Sequence, residues 1–281
     1  MSLNSVNTNM GAMIALQSLN KTNTDLQATE KRISTGYRVA DATDDGAAFA
    51  VAQKVRSDTG ALTTVNQQLG GVKSLVSTTV TQLTTVSNTM VDMKKTLVQL
   101  ADSNVTGDTR TQYLAQYKSQ MASVKSAIQD GGYNGKTLIG NITGSGGSFS
   151  SVTSVRNESG GTFGVGSYDG SALYGSVAGL STVTTTLALG ALTAGGTFTK
   201  MLASVGTALN TYGNASTYID NQTKANSAKI DSLNSGLGYL VDADLTKEAA
   251  NLQSLQTRQQ LAQQSLQLAN QAPNSLVSLF R

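Results

Sequence analysis

The residues of this sequence that could do chemistry are carboxylates gathered near its two ends. Asp41, Asp44 and Asp45 stand together early in the chain, and Asp242 and Asp244 stand near its close. A calcium loop would need alternate oxygen ligands around a fixed glycine turn, and that spacing is absent. A carboxylate pair could also serve as the acid and base of a glycosidase, but at 5% aromatic residues few rings are left to line a sugar cleft. Capping the ends of helices is the role these aspartates suit best. The glycine clusters GSGGS and GGYNG could cradle phosphate, yet neither opens onto a helical pattern, as a phosphate loop must.

Absences narrow the chemistry further. The chain of 281 residues contains no Cys, His or Trp. Without thiolate or imidazole there is no ordinary zinc, copper, haem or iron–sulfur centre, and the Ser–His and Cys–His nucleophile pairs cannot be built. No cofactor, no metal and no catalytic residue are therefore expected, and the chain does not read as an enzyme. A disulfide cannot form either, so stability must come from packing or assembly.

Only 13% of residues are charged and the net charge is +3. Lys and Arg are interleaved with Asp and Glu and nowhere form a basic stripe with stacking aromatics, so no nucleic-acid partner is expected. The first residues, MSLNSVNTNMGAMIALQSLN, have no basic start and no uninterrupted apolar run, which speaks against a cleaved secretory signal. No stretch of about 18 apolar residues occurs, so no membrane insertion is expected.

The elements are legible from hydrophobic spacing. Leu62, Val65, Leu69, Val72, Val76, Thr79, Leu83, Val86, Met90, Met93, Leu97 and Leu100 follow alternate steps of three and four, with Thr79 the only polar member. That is the period of a coiled-coil seam, and a helix over it would be about 58 Å long. Gly107 ends the pattern, and a second helix follows through Leu114, Tyr117, Met121, Val124 and Ile128 to stop at Asp130-Gly131-Gly132. Residues 141–200 hold nearly half of the 28 glycines, with β-type runs around a turn at Asn157 to Gly161. The helical period then returns through Leu202, Val205, Leu209, Tyr212, Ile219, Ile230, Leu233, Leu237 and Leu240, with polar gaps at Ser216, Thr223 and Asn226.

Amphipathic segments of low charge stand at both termini. Leu3, Val6, Met10, Met13, Leu19, Leu26 and Ile33 mark the first, and Leu255, Leu266, Leu276 and Phe280 the last, where Gln259 is a polar exception. Gly36 ends the first helix, and Asp44 or Asp45 caps the next. The expected fold class is mainly α: a long antiparallel coiled-coil-like bundle built from both chain ends, with a small β-rich central insert. The outermost helices would pair as a unit too thin to bury its own apolar faces, leaving a drive to associate with other copies.

Two long stretches carry a family resemblance. VNTNMGAMIALQSLNKTNTDLQATEKRISTGYRVADATDDGAAFAVAQKVRS at one end and LVDADLTKEAANLQSLQTRQQLAQQSLQLANQAPNSLVSLFR at the other, with GGYNGKTLI between them, resemble the bacterial flagellins. The resemblance implies three layers. Residues 1–44 with 237–281 would form an inner terminal-helix domain at the filament core, 45–140 with 196–236 a helical rod domain, and 141–195 a variable, solvent-facing insert. It also implies self-assembly into a helical homopolymer, with the terminal apolar residues as assembly surfaces and the Leu62–Leu100 row as the rod-core seam. Export in an unfolded state through the flagellar type III apparatus is implied, as are an extracellular location, a chaperone at the C-terminal helices, a hook-associated junction protein and a filament cap protein. Two positions depart from the pattern. Many flagellins carry an Arg- and Glu-bearing helix face that an innate immune receptor recognises, and here Asp92 and Lys95 stand where that Arg and Glu would fall. A junction protein, or a surface-displayed adhesin that binds polysaccharide, is the alternative reading of the same helical ends.

Overall fold

The computed structural model describes residues 8–278, with side chains described for 8–271. Leu3, Val6 and Phe280 lie outside the described residues, as does the side chain of Leu276. The chain divides into two compact units, each made from both of its halves: Met1–Ser57 with Asp231–Arg281, and Asp58–Ile230.

The first unit contains α1 (Met10–Thr35), the start of α2 (Gly46–Ala101), the end of α6 (Thr197–Val241) and α7 (Leu245–Ser278). Local chemistry sets its helix ends. Asn9 Oδ1 accepts the Ala12 N–H at 3.0 Å to start α1. Gly36, at φ 74°, ends it in the left-handed region that glycine enters without strain. Of the two aspartates eligible to cap α2, Asp45 is the one used, accepting from Ala48 N at 3.0 Å. Asp244 caps α7 through Thr246 N and Lys247 N.

The second unit is organised around α2. Leu62, Val65, Leu69, Val72, Val76, Leu83, Val86, Met90, Met93, Leu97 and Leu100 are all buried. Thr79 is buried in the same row at no hydrogen-bonding loss, because its hydroxyl donates to Leu75 O within the helix at 2.9 Å. Helix α3 (Gly107–Gln129) brings Tyr117, Met121, Val124 and Ile128 to this core, and α6 brings Phe198, Met201, Val205, Tyr212 and Ile219. Gly70 and Gly71 leave α2 unbroken.

After α3 the chain turns through Asn134 and Gly135, both at positive φ, joining β1 (Gly132–Tyr133) to β2 (Lys136–Thr137). Strand β3 (Ser148–Phe149) pairs parallel to β2. β4 (Val152–Val155) and β5 (Thr162–Val165) form an antiparallel hairpin across the Asn157–Gly161 turn. Beyond β5 the chain departs from the β-type expectation for 141–195. Two helices are present, α4 (Gly170–Ala178) and α5 (Thr185–Leu192), started by side-chain caps from Asp169 and Thr184. Val152, Val165, Leu173, Val177, Val183, Ala188 and Ala191 join the same core as α2. A Cβ on Gly170 would stand 2.0 Å from Ile139 O, so only glycine lets α4 start against that backbone.

Polar side chains fasten this segment. The Arg110 guanidinium donates to Val183 O at 2.8 Å, to Leu100 O at 3.0 Å and to Thr185 Oγ1 at 3.3 Å. Tyr117 Oη donates to Val177 O at 3.3 Å, and Tyr212 Oη lies 3.0 Å from Gly166 O. Burial pushes both phenols up from their ordinary range. Asn226, buried in α6, donates to Asn66 Oδ1 and Arg156 O, each at 3.0 Å, and accepts from Gln222. The polar gap at Asn226 is thus a satisfied network holding α2, α6 and the β4–β5 turn in one register.

Truncating the seam should be costly and truncating the outer face of the same helix should not. Leu83→Ala, at a fully buried position, should lower unfolding stability by about 2–5 kcal/mol, whereas Val91→Ala, 46% exposed, should stay within about 0.5 kcal/mol. Urea unfolding followed by circular dichroism checks both.

Candidate assembly surfaces

In the first unit α1 and α7 pair along one shared row each. On α1 the row runs Ala12, Ala15, Leu19, Thr22, Leu26, Thr29 and Ile33, where Thr22 and Thr29 are buried and the rest half-buried. On α7 it runs Glu248, Leu252, Leu255, Gln259, Ala262, Leu266 and Ala269, with only Glu248 buried. Both rows alternate steps of three and four, the spacing that keeps one stripe against a partner. Polar pairs set the register. Asn9 Nδ2 donates to Ala269 O at 2.7 Å, Gln259 Nε2 to Asn23 Oδ1 at 2.7 Å, and Arg32 meets Glu248 at 3.5 Å. Gln259, an exception in the apolar pattern, is therefore a register pin between the helices.

The sequence-derived terminal residues split into two groups. Leu19, Leu26, Ile33, Leu255 and Leu266 lie on the shared rows and are half-buried. Met10 and Met13 do not share that row; they are 52% and 62% exposed. Ile14 and Leu16 on α1, and Leu261 and Leu268 on α7, are exposed with them, Leu268 at 72%. Sequence spacing missed these four because one regular row conceals another; Leu261 and Leu268, seven apart and off the Leu255–Leu266 row, were the available signal. A groove of about 390 Å³ also opens along the pair beside Ala15, Thr22, Leu255 and Ala262. Two helices have one mutual face, and this pair carries apolar residues on more than one.

The carboxylates that opened the question of chemistry serve the connection between α1 and α2. Lys31 Nζ donates to Asp41 at 2.7 Å and to both oxygens of Asp44 at 3.0 Å. Asp44 also accepts from Ala40 N, and Asp41 accepts from Thr43. Lys31, then the Thr43 hydroxyl and N–H, hold the Asp41 carboxyl far below its usual range; Lys31, then the Ala40 N–H, lower Asp44. Next to this cluster the backbone is clasped. Arg38 N and Val39 N both donate to Val241 O, at 2.7 and 3.2 Å, and Ala243 N donates to Gly36 O at 2.9 Å. Val39, Ala48, Ala52 and Val241 pack into a small core around that clasp. Asp242 bridges to Tyr37 through its backbone, and Asp244 is the α7 cap. Among the described residues no group of three or more carboxylates is placed to hold a metal ion, and no helix is long and apolar enough to cross a membrane.

Asp92 and Lys95 lie on the exposed side of α2, 60% and 72% open, and pair with each other at 2.9 Å. Their partnership is local to one helix turn and leaves both on the surface.

Known proteins match the chain at both ends and over its whole length. Residues 6–143 match the family model of the bacterial flagellin N-terminal helical region, and residues 196–280 that of the C-terminal helical region. The chain is similar to flagellin FljK of Caulobacter vibrioides, with 36% identity over 284 residues covering 100% of both chains. It is 33% identical to flagellin FljM of the same organism over 281 residues, again covering 100% of both. It is also similar to a flagellin of Brucella melitensis, at 32% over 293 residues and 99% of each chain.

The Lys31 cluster gives the first unit a defined acid response. Because Asp41 and Asp44 titrate lower when folded, their contribution is complete above the ordinary carboxylate pKa of about 4 and is lost as pH falls through their depressed values. Lys31→Met should therefore melt at a lower temperature than the parent chain between pH 5 and 9. The gap should close as pH falls from about 4 towards 2; thermal melts by far-ultraviolet circular dichroism across that range check it.

Proposed function

This chain belongs to the bacterial flagellins, and we propose that its copies join through the apolar faces of α1 and α7 that their own pairing leaves open. The protein is a structural subunit of the flagellar filament and not an enzyme. The observation that carries the assembly reading is the exposure of Met13, Ile14, Leu16, Leu261 and Leu268 on a two-helix pair. Fully covering one such side chain contributes about 1.5–3 kcal/mol, so a neighbouring copy that covers several is strongly held.

On this reading residues 1–44 with 237–281 form the innermost layer of the filament, 45–140 with 196–236 the surrounding rod, and 141–195 the outward part. The division into two units, each drawn from both chain halves, supports that layering. The core shared by α4, α5 and α2 supports an outward part held firmly to the rod. The filament would lie outside the cell, its subunits exported unfolded through the flagellar type III apparatus, for which a cysteine-free chain is suited. The subunit would meet a chaperone at α7 before export, a hook-associated junction protein at the filament base and a cap protein at the growing tip.

Seeded polymerisation of the purified chain tests the assembly faces. Full-length protein should grow long filaments that pellet and are visible by electron microscopy, and residues 45–236 should not. Leu261→Asp with Leu268→Asp should raise the concentration needed for growth by roughly a hundredfold, as about 1.4 kcal/mol or more is lost at each site. Soluble full-length protein, or short rings alone, would overturn the assembly faces proposed here.

We propose also that the innate immune receptor for flagellin responds poorly to this chain. Asp92 and Lys95 reverse the charges of the recognised face and neutralise one another on the surface. Purified monomer should give a weak signal in receptor-reporter cells, and Asp92→Arg with Lys95→Glu should strengthen it; a full-strength response to the parent chain would refute the idea.

A further inference from the structure

Among the described residues the sulfur atoms fall into two classes. There is no cysteine, so methionine thioethers are the only sulfur present. Met90 and Met93 are fully buried in the α2 seam, and Met121 and Met201 are 8% and 5% exposed in the same core. Met10 and Met13, one helical turn apart on α1, are 52% and 62% exposed. They lie on the face that also bears Ile14 and Leu16, away from the row shared with α7.

We propose that Met10 and Met13 are an oxidation site that gates polymerisation: a peroxide or a hypohalous acid converts them to sulfoxides in the free subunit, and the oxidised subunit is kept out of the filament. The inference rests on the assembly reading of the open α1 face. With hydrogen peroxide, a lone pair of each methionine Sδ attacks one peroxide oxygen. An S–O bond forms, the O–O bond breaks, and the departing hydroxide takes up the remaining proton as water. Sulfur loses two electrons and the peroxide gains them. The product is a polar, chiral sulfoxide whose oxygen accepts hydrogen bonds, where an apolar thioether stood. Gln17, exposed one turn beyond Met13, can donate to a sulfoxide there; Met13 and Ile14, one turn beyond Met10, carry no donor, so burying the Met10 sulfoxide against another copy leaves its acceptor unpaired. The core methionines are shielded, so such a dose should leave the second unit folded. Enzymatic reduction, which takes one reductase per sulfoxide epimer, returns the thioether and makes the gate reversible.

The test uses full-length monomer treated briefly with dilute hydrogen peroxide, peptide mass mapping, and seeded polymerisation. Oxygen should be added at Met10 and Met13 well before Met90, Met93, Met121 or Met201. The concentration required for filament growth should rise about tenfold or more, the effect of one unpaired buried polar group, with the circular dichroism melt unchanged. Treatment with both methionine sulfoxide reductases should restore growth. Met10→Leu with Met13→Leu, a volume-conserving change, should polymerise equally with and without peroxide. If the untreated chain polymerises and the chain oxidised at both sites does so equally well, the gate is overturned and the assembly reading stands. Loss of growth in the peroxide-treated double variant, equal to that of the parent, would also overturn it. If untreated chain does not polymerise at all, the assembly reading falls and the gate falls with it.

Discussion

A helix cannot bury its own apolar row, and the length of the row on α2 makes that constraint dominate the second unit. From Leu62 to Leu100 one face must be covered along its whole extent, so α3 turns back on it and α6 returns from the far half of the chain to lie on it. The connection between them is recruited to the same purpose: α4 and α5 turn their apolar sides to this core instead of standing apart from it. Arg110, Tyr117, Tyr212 and Asn226 then decide the register. Each donates to a backbone carbonyl of a segment that hydrophobic contact alone would leave free to slide.

The first unit meets the same constraint with fewer elements. Its α1 and α7 cover one another along a single row, pinned by Gln259 to Asn23 and by Asn9 to Ala269 O. The remaining apolar side chains stay exposed, because the ends of α2 and α6 in this unit pack with Val39 in the small core beside the clasp instead. In a protein that works alone, such residues would be an aggregation hazard; in the proposed assembly they are the means of joining. Low charge serves the same end, because helix faces with few Lys, Arg, Asp and Glu residues are brought together with little desolvation of ions.

Legibility differed by element for physical reasons. The α2 seam, the Gly36 stop and the Asn157–Gly161 hairpin turn are local patterns in which a few neighbouring residues dictate backbone geometry, and all could be read directly. α4 and α5 were hidden. Their Gly, Ser and Thr content argues against helix, and it is overridden by caps from Asp169 and Thr184 and by burial against a core that local composition does not reveal. The choice of Asp45 over Asp44 as the α2 cap was likewise hidden, since it depends on Lys31, ten or more residues away in sequence, drawing Asp44 into an ion cluster. At the chain ends, Met10 and Met13 have the spacing of a seam, and only the position of α7 shows that the covered row is Ala12 to Ile33 instead.

By itself, then, the sequence determined where the long helices run, which of their rows are apolar, and that no thiol or imidazole chemistry is available. These follow from residue type and from the 3.6-residue geometry of the helix, which neighbours in sequence impose on one another. The tertiary structure alone decided which apolar row is closed within the chain and which is left exposed. Burial is a property of the surface that arrives, and for α1 that surface is α7, contributed from more than 200 residues further along.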